Sequence, residues 1–201
     1  MPSKQVILPG LSFSSRLSFG GDLLVGRRKS ARVFDSKRAL HVVLRSSRCT
    51  GALSLKKFDR KIVDILNRQS RLHSVRVYAR ANAGNHLHLV LKAPTRRALK
   101  GFLRATSGLI ARKVSGRERG STVRCTEVPA SNRAHDSAQA LPRSGFWDAR
   151  PFSRIVNWGK DFTKLKNYLH FNRLEALGFA RHESRGILDV CRQFGLDPPI
   201  A

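Results

Sequence analysis

The spacing of apolar positions changes several times along this chain, and each change marks an element. Residues 39–45 form a short run rich in β-branched and leucine side chains, which predicts a buried strand. After Gly51, the apolar residues Leu55, Phe58, Ile62, Ile65 and Leu66 recur at helical spacing. Lys56, Lys57, Arg60 and Lys61 mostly face outward, so residues 53–68 are expected as a helix. Residues 75–80 alternate apolar and basic, as a half-buried strand does. A turn at 82–85 then leads into the apolar run 86–91, and the two runs together predict a hairpin. Pro94 ends that run, and Thr95 is placed to cap a helix reaching about residue 114. Residues 152–156 read as another strand, and residues 160–177 as a helix with Gly178 just past its end. A last short helix is expected over 183–194, stopped by Gly195 and then by Pro198 and Pro199. Strand, helix, strand, strand, helix, strand, helix is the order of an α+β fold, an antiparallel sheet with helices on one face.

Composition sets the boundaries. The chain has 201 residues and is 41% hydrophobic, which suits one globular domain with short extras. Residues 1–35 lack a sustained period and read as a basic, partly disordered arm; residues 36–178 read as the domain and 179–201 as a helical tail. Within the domain, Ser, Gly, Arg, Ala and Pro dominate 115–145, so this stretch is expected as a long loop or insertion. No apolar run approaches the ~20 residues needed to cross a bilayer. Residues 5–11 break at Pro9 and Gly10 and are too short for a secretory signal. Cys49, Cys125 and Cys191 are odd in number and widely spaced, so they make neither a disulfide framework nor a paired-cysteine zinc site. A reducing cytoplasm is the expected compartment.

Charge then changes the picture. Thirty-nine Lys and Arg against thirteen Asp and Glu leave a formal charge of +26. Self-repulsion of that size is relieved by a polyanion that exchanges bound counterions for Lys and Arg, and nucleic acid is the expected partner. An anionic membrane surface would need a strongly apolar amphipathic face, and none is evident, so no membrane partner is expected. The charge supplies no sequence specificity and no chemistry.

Chemistry enters with His86 and His88, separated by one residue on an expected strand. Period two puts both imidazoles on one face, about 7 Å apart at Cα, a separation suited to gripping one metal ion. Two His do not complete a site for any metal. The helix over 160–177 offers Tyr168 and Asn172, one turn apart on one face. A phenol with a pKa near ~10 is a poor nucleophile at neutral pH and becomes useful when a bound cation polarises its target phosphate. The chain has two Tyr, and Tyr78 lies among core-like strand residues, which leaves Tyr168 as the better candidate. His41, His73, His135, His170 and His182 are taken as structural or surface groups.

The run Gly84, Asn85, His86, Leu87, His88, Leu89, Val90 resembles the His-hydrophobe-His motif of the HUH single-tyrosine transposases. The stretch from Phe146 and Trp147 through Arg150, Phe152 and Arg154 resembles the Trp-x-x-Arg-Phe segment that follows in them. Tyr168, Leu169, His170, Phe171 and Asn172 resemble the Tyr-Ile-x-x-Asn signature of the REP-associated tyrosine transposase branch, though Arg173 follows where the family often has Pro. The three occur in family order over about residues 37–178. The resemblance implies a ferredoxin-like fold with the tyrosine helix near the histidine strand. It implies Mg²⁺ or Mn²⁺ held by His86, His88 and Asn172; hard Mg²⁺ prefers oxygen to imidazole, so the choice between them stays open. It further implies attack by Tyr168 on single-stranded or hairpin DNA, giving a 5′-phosphotyrosine link and a free 3′-hydroxyl. The enzyme would act as a monomer or homodimer in a bacterial cytoplasm, on the nucleoid when bound to DNA.

Basic and aromatic residues are the expected DNA contacts: Arg45 and Arg80 on strands, Arg96, Arg97, Lys100 and Arg104 along one helix, Trp147 and Arg150 before the last strand, and Lys164 ahead of Tyr168. Trp158 and Phe152 are further stacking candidates. Two other readings compete. One is a domesticated relative that binds structured single-stranded DNA or RNA without cutting it; the other is a basic RNA-associated protein of ribosomal type.

Overall fold

Alternation along the strands sorts their side chains onto two faces, and helices cover both. The computed structural model describes residues 17–21, 31–116 and 145–193. Residues 117–144, nearly all of the expected loop, lie outside the described residues, as do most of the expected arm and residues 194–201 of the tail. The strands are β1 (Ser18–Phe19), β2 (Ala39–Arg45), β3 (Arg76–Asn82), β4 (His86–Lys92) and β5 (Phe152–Val156). The helices are α1 (Asp59–Leu72), α2 (Arg96–Val114), α3 (Lys160–Ala176) and α4 (Arg181–Gln193). All pairings are antiparallel, in the order β1-β5-β2-β4-β3. The path β2-α1-β3-β4-α2-β5 through the four long strands is the ferredoxin-like arrangement, and β1 extends its β5 edge.

On one face, Leu40, Val42 and Leu44 of β2 and Leu87, Leu89 and Leu91 of β4 meet Ile62 and Leu66 of α1 and Leu99, Phe102 and Ile110 of α2. Full burial of each such side chain contributes about 1.5–3 kcal/mol relative to exposure. These two helices are the expected layer. The other face carries Ala39, Ala81, Val90 and Val156 against Leu165 and Leu169 of α3, and α4 packs on α3. Because β4 is covered on both faces, it reads as a nearly continuous apolar run interrupted by its two histidines.

Several local features follow the sequence. Thr95 caps α2, its Oγ1 accepting from the Ala98 amide at 3.1 Å. Gly178, at φ +100°, closes α3, with the Phe179 amide donating to the Leu174 carbonyl at 3.1 Å and the Gly178 amide to Glu175 at 3.1 Å. Two local features differ from expectation. The helix expected from residue 53 begins as two 3-10 turns, Gly51–Leu53 and Leu55–Phe58. Ser54 is extended between them, and the Leu55 amide is drawn to the Gly84 carbonyl at 2.8 Å, so the α-helix starts only at Asp59. Strand β1 falls in the expected arm. Its two residues lie beside Gly20, where an added Cβ would come within 2.3 Å of the Pro151 carbonyl oxygen. Among the described residues, no helix is long and apolar enough to cross a membrane.

Candidate active site

Period two along β4 places His86 and His88 on the α3 face, and α3 crosses that face with Tyr168 inward. The His86 and His88 rings meet edge to face with centroids 4.7 Å apart. The Tyr168 ring meets His88 edge to face at 5.8 Å. All three belong to one chain. Leu165 and Leu169, adjacent to each other on one flank of Tyr168, are fully buried and pin the helix to the sheet.

The histidines' outer nitrogens have partners. His86 Nδ1 lies 2.6 Å from Asn85 Oδ1; a carbonyl oxygen can only accept, so the proton sits on Nδ1 and the lone pair on Nε2. His88 Nδ1 lies 3.0 Å from His41 Nε2, whereas His88 Nε2 is buried without a hydrogen-bond partner. Burial is the main force on all three rings. It drives His41 down to about 3, helped by the Arg154 guanidinium. It pushes His88 well below the ordinary imidazole value, with His41 and His86 adding to the effect. It also lowers His86, with Arg45 as the second cause. The cluster is therefore neutral at pH 7, the form in which imidazole binds a cation.

The hairpin turn that presents His86 is braced from α1. Asn82 Nδ2 donates to the Leu55 carbonyl at 3.0 Å and to Asp59 Oδ1 at 2.8 Å, and Asn82 Oδ1 accepts from the Gly84 amide at 3.1 Å. Gly84 itself has φ +93°, which favours glycine, and a Cβ there would crowd Ser54 Oγ at 3.0 Å. Asp59 also holds Arg80 Nη1 through both carboxylate oxygens, at 2.8 and 3.0 Å.

The residues singled out in the sequence divide into three groups. His86, His88 and Tyr168 are brought together, and Asn172 lies one turn further along α3, its Nδ2 buried without a hydrogen-bond partner. Arg45 stands opposite His86 on the neighbouring strand and pairs with Asp148 at 3.8 Å. Arg150 is exposed just beyond Asp148, and Lys164 is exposed on α3. Arg96, Arg97, Lys100 and Arg104 sit on α2, across the sheet from the histidines, because α2 covers the opposite face. Arg96 bonds the Arg32 carbonyl and lies over the Phe34 ring. Arg80 is held in its ion pair with Asp59. Trp147 packs against the main core and donates Nε1–H to the Ser107 carbonyl at 3.0 Å. Trp158, 44% exposed beside Phe162 and Tyr78, is an open aromatic instead.

His41 was expected as a structural or surface group; it lies in the site. Its signal was its phase on residues 39–45, opposite to the core-facing leucines, but that phase points to His88 only once β2 is known to lie beside β4.

The donor set suits a first-row divalent cation. The His86 and His88 Nε2 atoms carry lone pairs when each ring donates its Nδ1–H outward, and His88 Nε2 is buried with no hydrogen-bond partner. Among the described residues no three His, Cys, Asp or Glu side chains form a metal cage; Asn172, one turn beyond Tyr168 on α3, carries an amide oxygen that could serve as a third donor.

No family model matches the chain, and no curated protein does. Its structure is similar to that of a REP-associated tyrosine transposase bound to a REP hairpin. The TM-score is 0.49 and the identity 10%, over 74% of this chain and 74% of that one. A likeness of that degree assigns no activity, and the functional reading rests on the residues.

Proposed function

We propose that this protein cuts and rejoins single-stranded DNA through Tyr168, with His86, His88 and Asn172 holding Mg²⁺ or Mn²⁺. The observation that carries the reading is the convergence of the Tyr168 ring on His88, 5.8 Å between centroids, beside a second imidazole on the same face. A bound divalent cation would polarise the scissile phosphate and offset its negative charge. The Tyr168 oxygen bonds to phosphorus, its phenolic proton passing to solvent, as the bond from phosphorus to the 3′ oxygen breaks and that oxygen takes a proton from solvent. The products are a 5′-phosphotyrosine and a free 3′-hydroxyl. Attack by another 3′-hydroxyl reverses the step and joins strands without ATP, because one phosphodiester replaces another. Arg45 lies opposite His86 at the β4 end of the site, where a sugar–phosphate backbone would be met by positive charge.

A binding module without chemistry would account for the charge of +26. It leaves unexplained why two neutral imidazoles and a phenol share one face. The test is incubation of a broad pool of hairpin-bearing single-stranded oligonucleotides with Mn²⁺, followed by denaturing electrophoresis. A covalent adduct is expected, lost in Tyr168→Phe and in chelator. No adduct from any pool member, with tight binding that Tyr168→Phe and chelator leave unchanged, would establish the non-catalytic module.

A further inference from the structure

We propose that His41 is a positioning residue: it accepts the Nδ1 proton of His88 and so keeps the lone pair of His88 on Nε2. The inference rests on the reading above, in which that nitrogen holds a cation. His41 Nε2 and His88 Nδ1 are 3.0 Å apart, the ring planes lie within 8° of parallel, and the centroids are 5.3 Å apart. That centroid separation is what a 3.0 Å bond between two ring edges requires, so the rings lie edge to edge rather than stacked, and the proton runs in the plane of the acceptor's lone pair. Both residues are buried, 2% and 6% exposed, so water does not compete for the bond.

The opposite direction of the same bond is the alternative. Either direction leaves one buried N–H without a partner, on His41 Nδ1 or on His88 Nε2. Only the proposed one leaves a lone pair on the His88 nitrogen that has no other use. His86 shows the same arrangement independently: its Nδ1 gives a proton to Asn85 Oδ1 at 2.6 Å, which leaves Nε2 bare. Asn85 and His41 thus perform one task for two rings, that of an outer partner that sets tautomer and orientation.

The test combines two readouts. Imidazole ¹⁵N shifts of the metal-free protein report which nitrogen of His88 is protonated, and the electron paramagnetic resonance signal of free Mn²⁺ reports affinity. Wild type is expected to show His88 protonated on Nδ1. His41→Leu is expected to show mixed tautomers and to bind Mn²⁺ about 10–100-fold more weakly, the usual cost of losing such a partner. His41→Gln, whose amide oxygen can still accept the proton, is expected to recover most of that loss, and it keeps the test valid where the leucine variant does not fold. A wild-type His88 protonated on Nε2, or a His41→Leu variant that binds Mn²⁺ as tightly as wild type, overturns the role of His41. A wild type that binds no Mn²⁺ while His88 is protonated on Nδ1 overturns the cation and upholds the tautomer assignment.

Discussion

Acidification is expected to loosen this fold through its buried histidines. His41 and His88 are buried as neutral rings. In the unfolded chain an imidazole takes up its proton near pH ~6.5. In the folded chain His41 does so only at about 3, because burial first and the Arg154 guanidinium second oppose its charge. Between these values the unfolded chain binds a proton that the folded chain does not, so stability falls as pH drops from about 6.5 toward about 3. The slope for one such group is about 1.4 kcal/mol per pH unit, which integrates to about 2.5 kcal/mol between pH 7 and pH 4.5. His88 is shifted in the same direction, burial again the largest cause, so it adds to the same loss. A domain of this size has about 5–15 kcal/mol in total. Asp35 is held below the ordinary carboxylate value by its hydrogen bonds from Arg38 and the Lys37 amide, so what it contributes is lost only below pH ~3.9. Urea unfolding at pH 7, 6, 5 and 4.5 measures the effect. The wild-type midpoint is expected to fall steadily, and His41→Gln, with one fewer titrating ring, to show a shallower decline. A wild-type midpoint that stays level from pH 7 to 4.5 refutes the reasoning.

Other expectations address the packing that holds the site. Phe102→Ala empties a fully buried position of α2 and is expected to cost about 3–5 kcal/mol in chemical denaturation; a loss under 1 kcal/mol would mean that the surrounding helices close the gap. Asp59→Ala removes the acceptor shared by Arg80 and Asn82. A loss of about 1–3 kcal/mol is expected, along with a broadened His86 resonance because the turn before it loses a brace. An unchanged denaturation midpoint would count against that role. Thr95→Ala removes the cap of α2 and is expected to cost about 1 kcal/mol, read as a lower thermal midpoint with the same far-ultraviolet spectrum.

Much of this architecture was legible in single stretches of chain. Backbone sterics give strands a period of two and helices one of 3.6, so residues 39–45 and 152–156 could be read as the strands they form, and Thr95 and Gly178 as helix ends. The same period of two placed His86 and His88 on one face without knowledge of any neighbour, and the i, i+4 relation did the same for Tyr168 and Asn172. Strand β1 escaped because two residues carry no period, and the 3-10 start before α1 escaped because a backbone bond to Gly84, on a different element, sets it.

What tertiary structure alone decided is which faces meet. The register of β2 against β4 sets Val43 opposite His88 and His41 opposite Val90, which makes His41 the diagonal same-face neighbour of His88. A slip of one residue would turn His41 to the other side of the sheet. The same packing carries Tyr168 to His88 and takes Arg96, Arg97, Lys100 and Arg104 away on α2. Spacing along the chain determined which side chains share a face, because that is local geometry. Pairing across the sheet determined which faces form a site, because it depends on cores buried between residues far apart in sequence.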